Sequence, residues 1–178
     1  MASVQRVTIL LLARHGETDW NRELRFQGHA DPPLNEAGRR QALALAAAVV
    51  AEEPTGVYAS DLRRARETAE IVASALGLTV VADRRLREID VGSWEGRTRV
   101  EVDGADWDGE SLAAHRARVL AALREIAVRH PGQRVLVVAH GGTLRRAQEA
   151  ALGEALPVVE NCGLWVVAVE DGRFRPVD

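Results

Sequence analysis

Apolar and polar residues divide the chain into short apolar runs and longer amphipathic stretches that take turns along it. The apolar runs are rich in leucine and β-branched residues, a composition typical of strands that are covered on both faces. They predict strands at residues 7–13, 57–59, 78–81 and 135–139. The amphipathic stretches carry apolar side chains at helical spacing. They predict helices at about 35–51, 61–77, 112–130 and 143–152.

The ends of the predicted helices carry residue types that usually begin and end a helix. Asn35 is the expected N-cap of the first helix, and Ser60 or Asp61 is the expected cap of the second. Gly77 is the residue expected just past the end of the second helix. His115, early in the third helix, is expected to face outward.

Strands and helices that alternate through short loops predict an α/β fold. We expect a three-layer α/β/α sandwich with a mostly parallel central sheet. Residues 164–169 and 173–177 predict a closing hairpin, and residues 83–110 are irregular. With 178 residues, no repeats and no linker, the chain is expected to form a single domain over 1–178.

The composition excludes several classes of protein to which the chain could belong. The net charge of −3 gives no overall positive field that would attract nucleic acid or an anionic membrane. The single cysteine, Cys162, excludes an internal disulfide framework and a cysteine-rich zinc module. The apolar run 7–13 is far shorter than the ~20 residues of a spanning helix. We therefore expect a cytoplasmic protein.

All 23 Lys+Arg residues are arginines, so the chain contains no lysine. This excludes catalysis through a Schiff-base lysine and phosphate binding through a P-loop lysine.

Chemically useful residues follow two of the predicted strands. His15-Gly16 comes directly after the first strand, and His140-Gly141 comes directly after the fourth. The carboxyl ends of parallel strands form the edge of the sheet where ligands bind in such folds. The glycines let a ligand approach the backbone. Arg14 stands at the end of a buried strand, where an unpaired charge would be costly, so an anion site is predicted here.

Five blocks of sequence, in order along most of the chain, resemble those of the histidine phosphatase superfamily, also called phosphoglycerate mutase-like. They read Arg14-His15-Gly16-Glu17-Thr18 with Asn21; Gln27-Gly28 with Asp31, Pro33, Leu34 and Gly38; Ser60-Asp61-Leu62-Arg63-Arg64-Ala65 with Thr68-Ala69; Leu86-Arg87-Glu88 with Gly92, Trp94, Glu95 and Gly96; and Val138-Ala139-His140-Gly141-Gly142. The resemblance implies the phosphoglycerate mutase-like form of the predicted sandwich.

The resemblance also implies a role for each matching residue. His15 would be the nucleophile that takes the phosphoryl group, and Glu88 would be the proton donor to the leaving oxygen. Arg14, Arg64 and His140 would surround the phosphoryl oxygens. Arg64, rather than Arg63, matches the arginine of the family's block, because that arginine directly precedes an alanine, as Arg64 precedes Ala65. The other implied contacts with phosphate or substrate are Asn21, Gln27, Gly28 and the backbone near Gly141.

The chemistry of phosphoryl transfer agrees with these roles. The reaction mainly requires in-line positioning and positive charge around the equatorial oxygens. Two guanidinium groups and a protonated His140 would supply that charge, so neither a metal nor another cofactor is expected. The attacking nitrogen of His15 must be neutral, and a backbone carbonyl is the expected proton acceptor at its other nitrogen. Glu88 must be protonated to act as an acid and then ionised to activate water.

Residues 97–110, called the lid segment below, favour hydrolysis over mutase transfer. The resemblance implies a comparison with the mutases of this family, which are longer chains. In them an insertion at this place carries basic groups that bind the substrate carboxylate and exclude water. Here the segment is short, and Arg97 and Arg99 are outnumbered by carboxylates. Those are Glu101, Asp103, Asp106, Asp108 and Glu110. The lid segment is expected to repel a bisphosphorylated acid and to leave the site open to water.

The predicted function is a metal-independent, acid-type phosphomonoesterase that acts through phospho-His15 on a small phosphorylated metabolite. A phosphoglycerate mutase and a phospholigand-binding member without turnover are the alternatives. A zinc hydrolase built on His15, His140 and Glu88 is disfavoured, because these residues form no compact metal motif. The expected partner is a small phosphate ester, with neither nucleic acid nor membrane. A homodimer through an edge strand or the closing hairpin stays an open alternative.

Overall fold

The computed structural model of the chain describes residues 7–154 and 156–177. Within them the strands are β1 (Thr8–Arg14), β2 (Gly56–Ala59), β3 (Val80–Ala82), β4 (Arg134–Ala139), β5 (Leu164–Glu170) and β6 (Arg173–Pro176). They form one sheet in the order β3-β2-β4-β1-β5-β6. The pairs from β3 to β1 are parallel, whereas β5 is antiparallel to both β1 and β6. The predicted mostly parallel sheet and its closing hairpin are confirmed.

Helices cover both faces of this sheet. They are α1 (Asp19–Arg22), α2 (Glu36–Val50), α3 (Arg63–Leu76), α4 (Leu112–Arg129) and α5 (Gly141–Leu152). Successive side chains of a strand point to opposite faces. Leu11 and Ala13 of β1 therefore join the core beneath α2 and α3. Leu10 and Leu12 join the core beneath α4 and α5. The three-layer α/β/α architecture is confirmed.

Local signals at the helix ends succeed in part. The side chain of Asn35 accepts a hydrogen bond from the backbone N–H of Gly38 at 2.8 Å, as expected of an N-cap. Gly77 ends α3 in the left-handed region, with φ of 66°. The expected caps of α3 are wrong, because the N-cap is Leu62 and makes no side-chain bond. The backbone N–H of Arg63 donates instead to the side chain of Asp31 at 2.6 Å, so a residue from a distant loop takes the place of a local cap.

The position of His115 is the second correction. This residue lies in the first turns of α4, and its side chain is buried rather than facing outward. Val119 and Leu123 follow His115 at intervals of four residues, so all three side chains lie on the same buried face of α4. Leu112, at the first position of the helix, is exposed and lines the site described below.

The strand register brings the two predicted histidines together. Arg14 pairs with Ala139 across β1 and β4, so the residues that follow them, His15 and His140, leave the sheet side by side. The backbone N–H of His15 donates to the carbonyl of Ala139 at 2.9 Å. The irregular segment between β3 and α4 contributes an antiparallel bridge between Arg25 and Thr98. None of the helices within residues 7–154 and 156–177 has the length and apolar character of a membrane span.

Candidate active site

A cleft of about 350 Å³ opens at the carboxyl ends of β1 and β4. Seven residues that were predicted from the sequence line it. They are Arg14, His15, Asn21, Gln27, Gly28, Arg64 and Glu88. A volume of this size suits a small organic ligand. The structure therefore gathers side chains from four separate sequence blocks around one space.

His15 is the residue at the base of this cleft. Its side chain is buried, and Nδ1 lies 2.7 Å from the carbonyl oxygen of Gly16. Burial and the positive charges of Arg64 and Arg14 hold the pKa of His15 well below its ordinary value of 6.5. The ring is therefore neutral near pH 7, with its proton on Nδ1 where the carbonyl accepts it. Nε2 is left with a free lone pair, which is the form that a nucleophile requires.

Arg14 and Arg64 place two guanidinium groups next to His15. Arg64 is fully buried and donates to the carbonyl of Ala30 at 2.7 Å and to that of Gly28 at 3.0 Å. Arg14 donates to the carbonyl of Val159 at 3.0 Å. Burial lowers the pKa of Arg64 to about 10, so it keeps its charge at neutral pH. The Nε–H of each arginine is buried and has no hydrogen-bond partner within the described residues.

His140 packs against His15, with 5.2 Å between the ring centroids. Its ring is fully buried, and neither nitrogen has a hydrogen-bond partner within the described residues. Burial, together with the charges of Arg64 and Arg14, holds the pKa of His140 well below its ordinary value. Without a bound anion the ring is therefore neutral near pH 7, because burial and then the nearby guanidinium charges disfavour an imidazolium. The expected protonation of His140 beside a bound phosphoryl group stays a prediction.

Glu88 lies across the cleft on the irregular segment after β3. One carboxylate oxygen accepts from the backbone N–H of Ile89 at 2.9 Å. The other accepts from the backbone N–H of Gly142 at 3.0 Å. Gly142 is the second residue of α5, so its N–H is one of those that no helical carbonyl can satisfy. The start of α5 thus positions the carboxylate at the rim of the site.

Asn21 and Gln27 are both held by Thr18. The backbone N–H of Thr18 donates to Oδ1 of Asn21 at 3.1 Å. The Thr18 hydroxyl lies 3.1 Å from Oε1 of Gln27. Gly28 adopts a φ of 51°, and a Cβ there would lie 2.6 Å from a methyl group of Val91. These contacts order one wall of the cleft.

Comparison with known proteins decides the family. The model of the histidine phosphatase superfamily, branch 1, matches residues 10–178 of the chain. The chain belongs to the histidine phosphatase superfamily.

Relatives of this histidine phosphatase have names of two kinds. The chain is 38% identical over 187 residues to phosphoglycerate mutase-like protein 4 of Arabidopsis thaliana, covering 92% of this chain and 80% of the relative. It is also 38% identical over 195 residues to the metal-independent phosphoserine phosphatase of the same plant, covering 94% and 79%. The solved structure of a mycobacterial glucosyl-3-phosphoglycerate phosphatase in complex with VO3 superposes with a TM-score of 0.85. That structure is 31% identical and covers 97% of this chain and 98% of its own.

Gly141 and Gly142 differ in their relation to the cleft of this histidine phosphatase. Gly142 lines the cleft and donates to Glu88, whereas the backbone near Gly141 was expected to donate to the phosphoryl oxygens. Gly141 packs against Val158, which a Cβ would approach to 2.7 Å. Its position is therefore one of close packing. The doubled glycine was the available signal, but the sequence does not show which of the two faces the ligand.

Several apolar residues of the cleft were missed. Phe26, Ile89, Val91, Trp107 and Leu112 line it together with Arg25. They follow no helical or strand periodicity, because most of them lie in irregular segments. A tryptophan within the acidic lid segment was the one signal that could have pointed to this wall.

None of the carboxylates of residues 97–110, all of which the structure describes, is among the residues that line the cleft, and three of them make contacts elsewhere. Glu101 accepts from the backbone and hydroxyl of Thr98, and Asp108 accepts from Ser93. Glu110 forms an ion pair with Arg118. Trp107 is the lid-segment residue that lines the cleft. The lid segment therefore contributes an indole to the lining of the cleft, and the expected repulsion of a bisphosphorylated acid stays a prediction.

Metal binding finds no support in the described part of the chain. No group of three or more histidine, cysteine, aspartate or glutamate side chains within residues 7–154 and 156–177 is arranged to hold a metal ion. The two histidines of the cleft have two guanidinium groups beside them, which is unfavourable for a cation.

Proposed function

We propose that this histidine phosphatase hydrolyses a small phosphate monoester through a phosphohistidine at His15. One observation carries the proposal: the polar atoms left without partners around His15 are the Nε–H groups of Arg14 and Arg64 and the two ring nitrogens of His140, one of which carries a proton in the neutral ring. Buried polar groups are nearly always paired in folded proteins, so an unpaired set beside a cleft supports the binding of a ligand there. A phosphoryl group, with three oxygens and two negative charges, would satisfy these donors together.

The proposed first step is transfer of the phosphoryl group to His15. The Nε2 lone pair attacks phosphorus, the N–P bond forms, and the bond from phosphorus to the alcohol oxygen breaks. Glu88 gives its proton to that leaving oxygen. Arg14 and Arg64 stabilise the negative charge on the equatorial oxygens, and the carbonyl of Gly16 holds the Nδ1 proton of the ring.

The proposed second step is attack of water on phospho-His15. Glu88, now ionised, takes a proton from the water, whose oxygen bonds to phosphorus as the N–P bond breaks. Inorganic phosphate leaves, and Glu88 is protonated again. His140 enters each step as a neutral donor whose protonation becomes more favourable once the anion is bound.

Hydrolysis is supported over mutase transfer by the charges of the cleft. A mutase must hold the carboxylate of a phosphoglycerate near the phosphoryl site. Arg25 is the further cation that lines the cleft, and its Nε donates to Glu23 at 2.7 Å while its Nη1 donates to the carbonyl of Gly96 at 2.7 Å. Arg25 differs from Arg14 and Arg64 because a carboxylate already pairs with it, which weakens its attraction for a second anionic group.

The experiment is the trapping of a phosphoprotein. The chain and its His15→Ala variant are mixed with a radiolabelled monoester in EDTA and quenched in alkali, and acid-labile protein-bound label is counted. We expect label and phosphate release with the wild-type chain only. Label on the variant, or loss of activity through EDTA, would contradict the proposal. Isomerisation of 3-phosphoglycerate, primed by bisphosphoglycerate, that outpaces phosphate release would identify a mutase instead.

The acid-type character belongs to this proposal. A nucleophile whose pKa lies well below 6.5 stays neutral in mildly acidic solution, so activity is expected to persist there. The cytoplasmic location, the homodimer and the absence of nucleic-acid binding stay predictions.

A further inference from the structure

The outer part of the cleft, beyond the phosphoryl-binding side chains, has an apolar wall. Phe26, Ile89, Val91, Trp107 and Leu112 form it. Ile89 directly follows Glu88 in the chain, so the wall begins next to the carboxyl group that would protonate the leaving oxygen. We therefore expect the group attached to that oxygen to lie near these side chains.

Trp107 is fixed in this wall although it is 44% exposed. Its ring packs edge-on against Trp94 at 5.0 Å between centroids, and Trp94 packs against Phe26 at 5.3 Å. The indole N–H of Trp107 donates to the carbonyl of Glu110 at 3.1 Å. Because that donor is already used, Trp107 offers the cleft a hydrocarbon surface and no hydrogen bond. Leu112, at the first position of α4, extends the same surface and is 62% exposed.

Charge in the outer wall is already neutralised. Of the described residues that line this part of the cleft, Arg25 is the cation, and its Nη1 also lies 3.8 Å from the Glu101 carboxylate. With Glu23 on its Nε, the guanidinium stands between two carboxylates. These two carboxylates already offset the charge of Arg25, so a substrate carboxylate would gain less from it than from an unpaired guanidinium.

We propose that the alcohol part of the substrate is apolar, an aromatic or compact alkyl group that packs against Trp107 and Leu112. This inference rests on the proposed phosphatase function and adds the substrate class to it. Esters of alcohols that carry a carboxylate, such as serine or glycerate, are the disfavoured class. Trp107 and Leu112 are then specificity-determining residues, while the phosphoryl chemistry stays with His15 and Glu88.

The test compares 2-phenylethyl phosphate with O-phosphoserine and 3-phosphoglycerate. All three release an aliphatic alkoxide oxygen, so a difference in rate reports recognition of the alcohol rather than leaving-group chemistry. We expect kcat/KM to be about tenfold or more higher for the phenylethyl ester, since apolar contacts of one or two methylenes already discriminate by about 10–200-fold. Trp107→Ala should remove most of that preference, and Trp107→Phe should keep it. Val100→Ala, a lid-segment variant at an 85% exposed side chain, should leave the preference unchanged.

The outcomes separate this inference from the proposed function. Equal or faster hydrolysis of phosphoserine or 3-phosphoglycerate would overturn the apolar substrate class and leave the phosphatase function standing. An equal loss for all three esters in Trp107→Ala would also overturn it. If no ester is hydrolysed, the proposed function is contradicted. The inference about the alcohol group is then tested by calorimetric measurement of the binding of the same esters. Tighter binding of phenylethyl phosphate than of phosphoserine supports it, and equal or weaker binding overturns it.

Discussion

The carboxylate of Glu88 accepts a hydrogen bond from the backbone N–H of Gly142 at 3.0 Å, across 54 positions of sequence. This bond joins the irregular segment after β3 to the first turn of α5. It sets the distance between the proposed acid and the histidines that follow β1 and β4. The geometry leaves no room for a side chain at position 142, where a Cβ would collide with the Glu88 carboxylate.

Gly142→Ala should therefore reduce activity without reducing stability. The added methyl group displaces Glu88, and we expect kcat to fall by about 10²-fold, the lower end of a lost general acid. Alanine is favoured over glycine inside a helix by up to about 1 kcal/mol, so the melting temperature should be equal or higher. Steady-state kinetics and thermal melts check both values. An active Gly142→Ala enzyme would show that the Glu88 position is not set by this contact.

Arg64 and its neighbour Arg63 form a matched pair for substitution. Arg64 is fully buried at the cleft, whereas Arg63 is half exposed and paired with Glu67. Arg64→Ala should lower kcat/KM by about 10²-fold or more, as expected for loss of a charged donor to the transition state. Arg63→Ala should change kcat/KM by less than about twofold, since exposed ion pairs contribute little. Equal effects of the two variants would place the phosphoryl site elsewhere.

The protonation of His15 should be visible by NMR. Because burial, Arg64 and Arg14 lower its pKa well below 6.5, the Cε1–H signal should keep the neutral position at pH 6. The acid limb of the kcat/KM profile should accordingly lie below pH 6.5. Arg64→Gln removes one of these charges and should move the titration upward. A His15 that titrates near 6.5 in the wild-type chain would contradict the assignment.

His115 makes folding stability depend on pH. Its pKa is lowered to about 4, mainly by burial, with Arg118 and Arg146 lowering it and Glu88 and Glu110 opposing. Below pH 6.5 the unfolded chain binds a proton that the folded chain does not, so stability falls as pH drops from about 6.5 toward 4. The loss at this residue is about 3 kcal/mol, from about 1.4 kcal/mol for each unit of lowered pKa.

His115→Leu isolates this contribution. Nε2 of His115 is buried without a partner within the described residues, so leucine should raise stability at pH 7 by about 1–3 kcal/mol. The variant should also lose less stability between pH 6.5 and 4. Urea unfolding at several pH values measures both effects. An unchanged dependence on pH would mean that His115 does not contribute to it.

Gly38 allows the loop after β1 to lie against α2. A Cβ at position 38 would collide with the carbonyl oxygen of Glu17, and a Cβ on Gly16 would lie 2.5 Å from the Gly38 carbonyl. Gly38→Ala should cost about 1–3 kcal/mol of stability, the usual cost of overpacking. Activity should fall as well, because the displaced backbone carries the carbonyl that holds His15. Arg39→Ala, at the exposed next position, is the control and should behave as wild type. A stable, fully active Gly38→Ala would show that the loop tolerates displacement.

Much of the fold could be predicted because its strands and helices follow from local patterns of apolar and polar residues. The runs that became β1 and β4 are continuous and apolar, and both cores beneath the sheet are built from their alternating side chains. Asn35 and Gly77 mark helix ends through hydrogen bonding and backbone conformation that depend on few neighbours. The cap of α3 was not predicted correctly, because the first N–H of that helix is paired with Asp31, which is distant in the chain. His115 was also not predicted correctly, although its spacing to Val119 places it on the buried face of α4.

The sequence by itself determined the α/β architecture, the order of its elements and the residues that could bind and transfer a phosphoryl group. Strand-end residues such as His15 and His140 are identifiable because hydrophobic periodicity locates the strands. Only the tertiary structure decided that β1 lies beside β4 in the register that joins these histidines. It also decided that His140 is neutral, since a pKa depends on charges brought together in space. The apolar wall around Trp107 was decided there too, because irregular segments have no period from which their packing could be predicted.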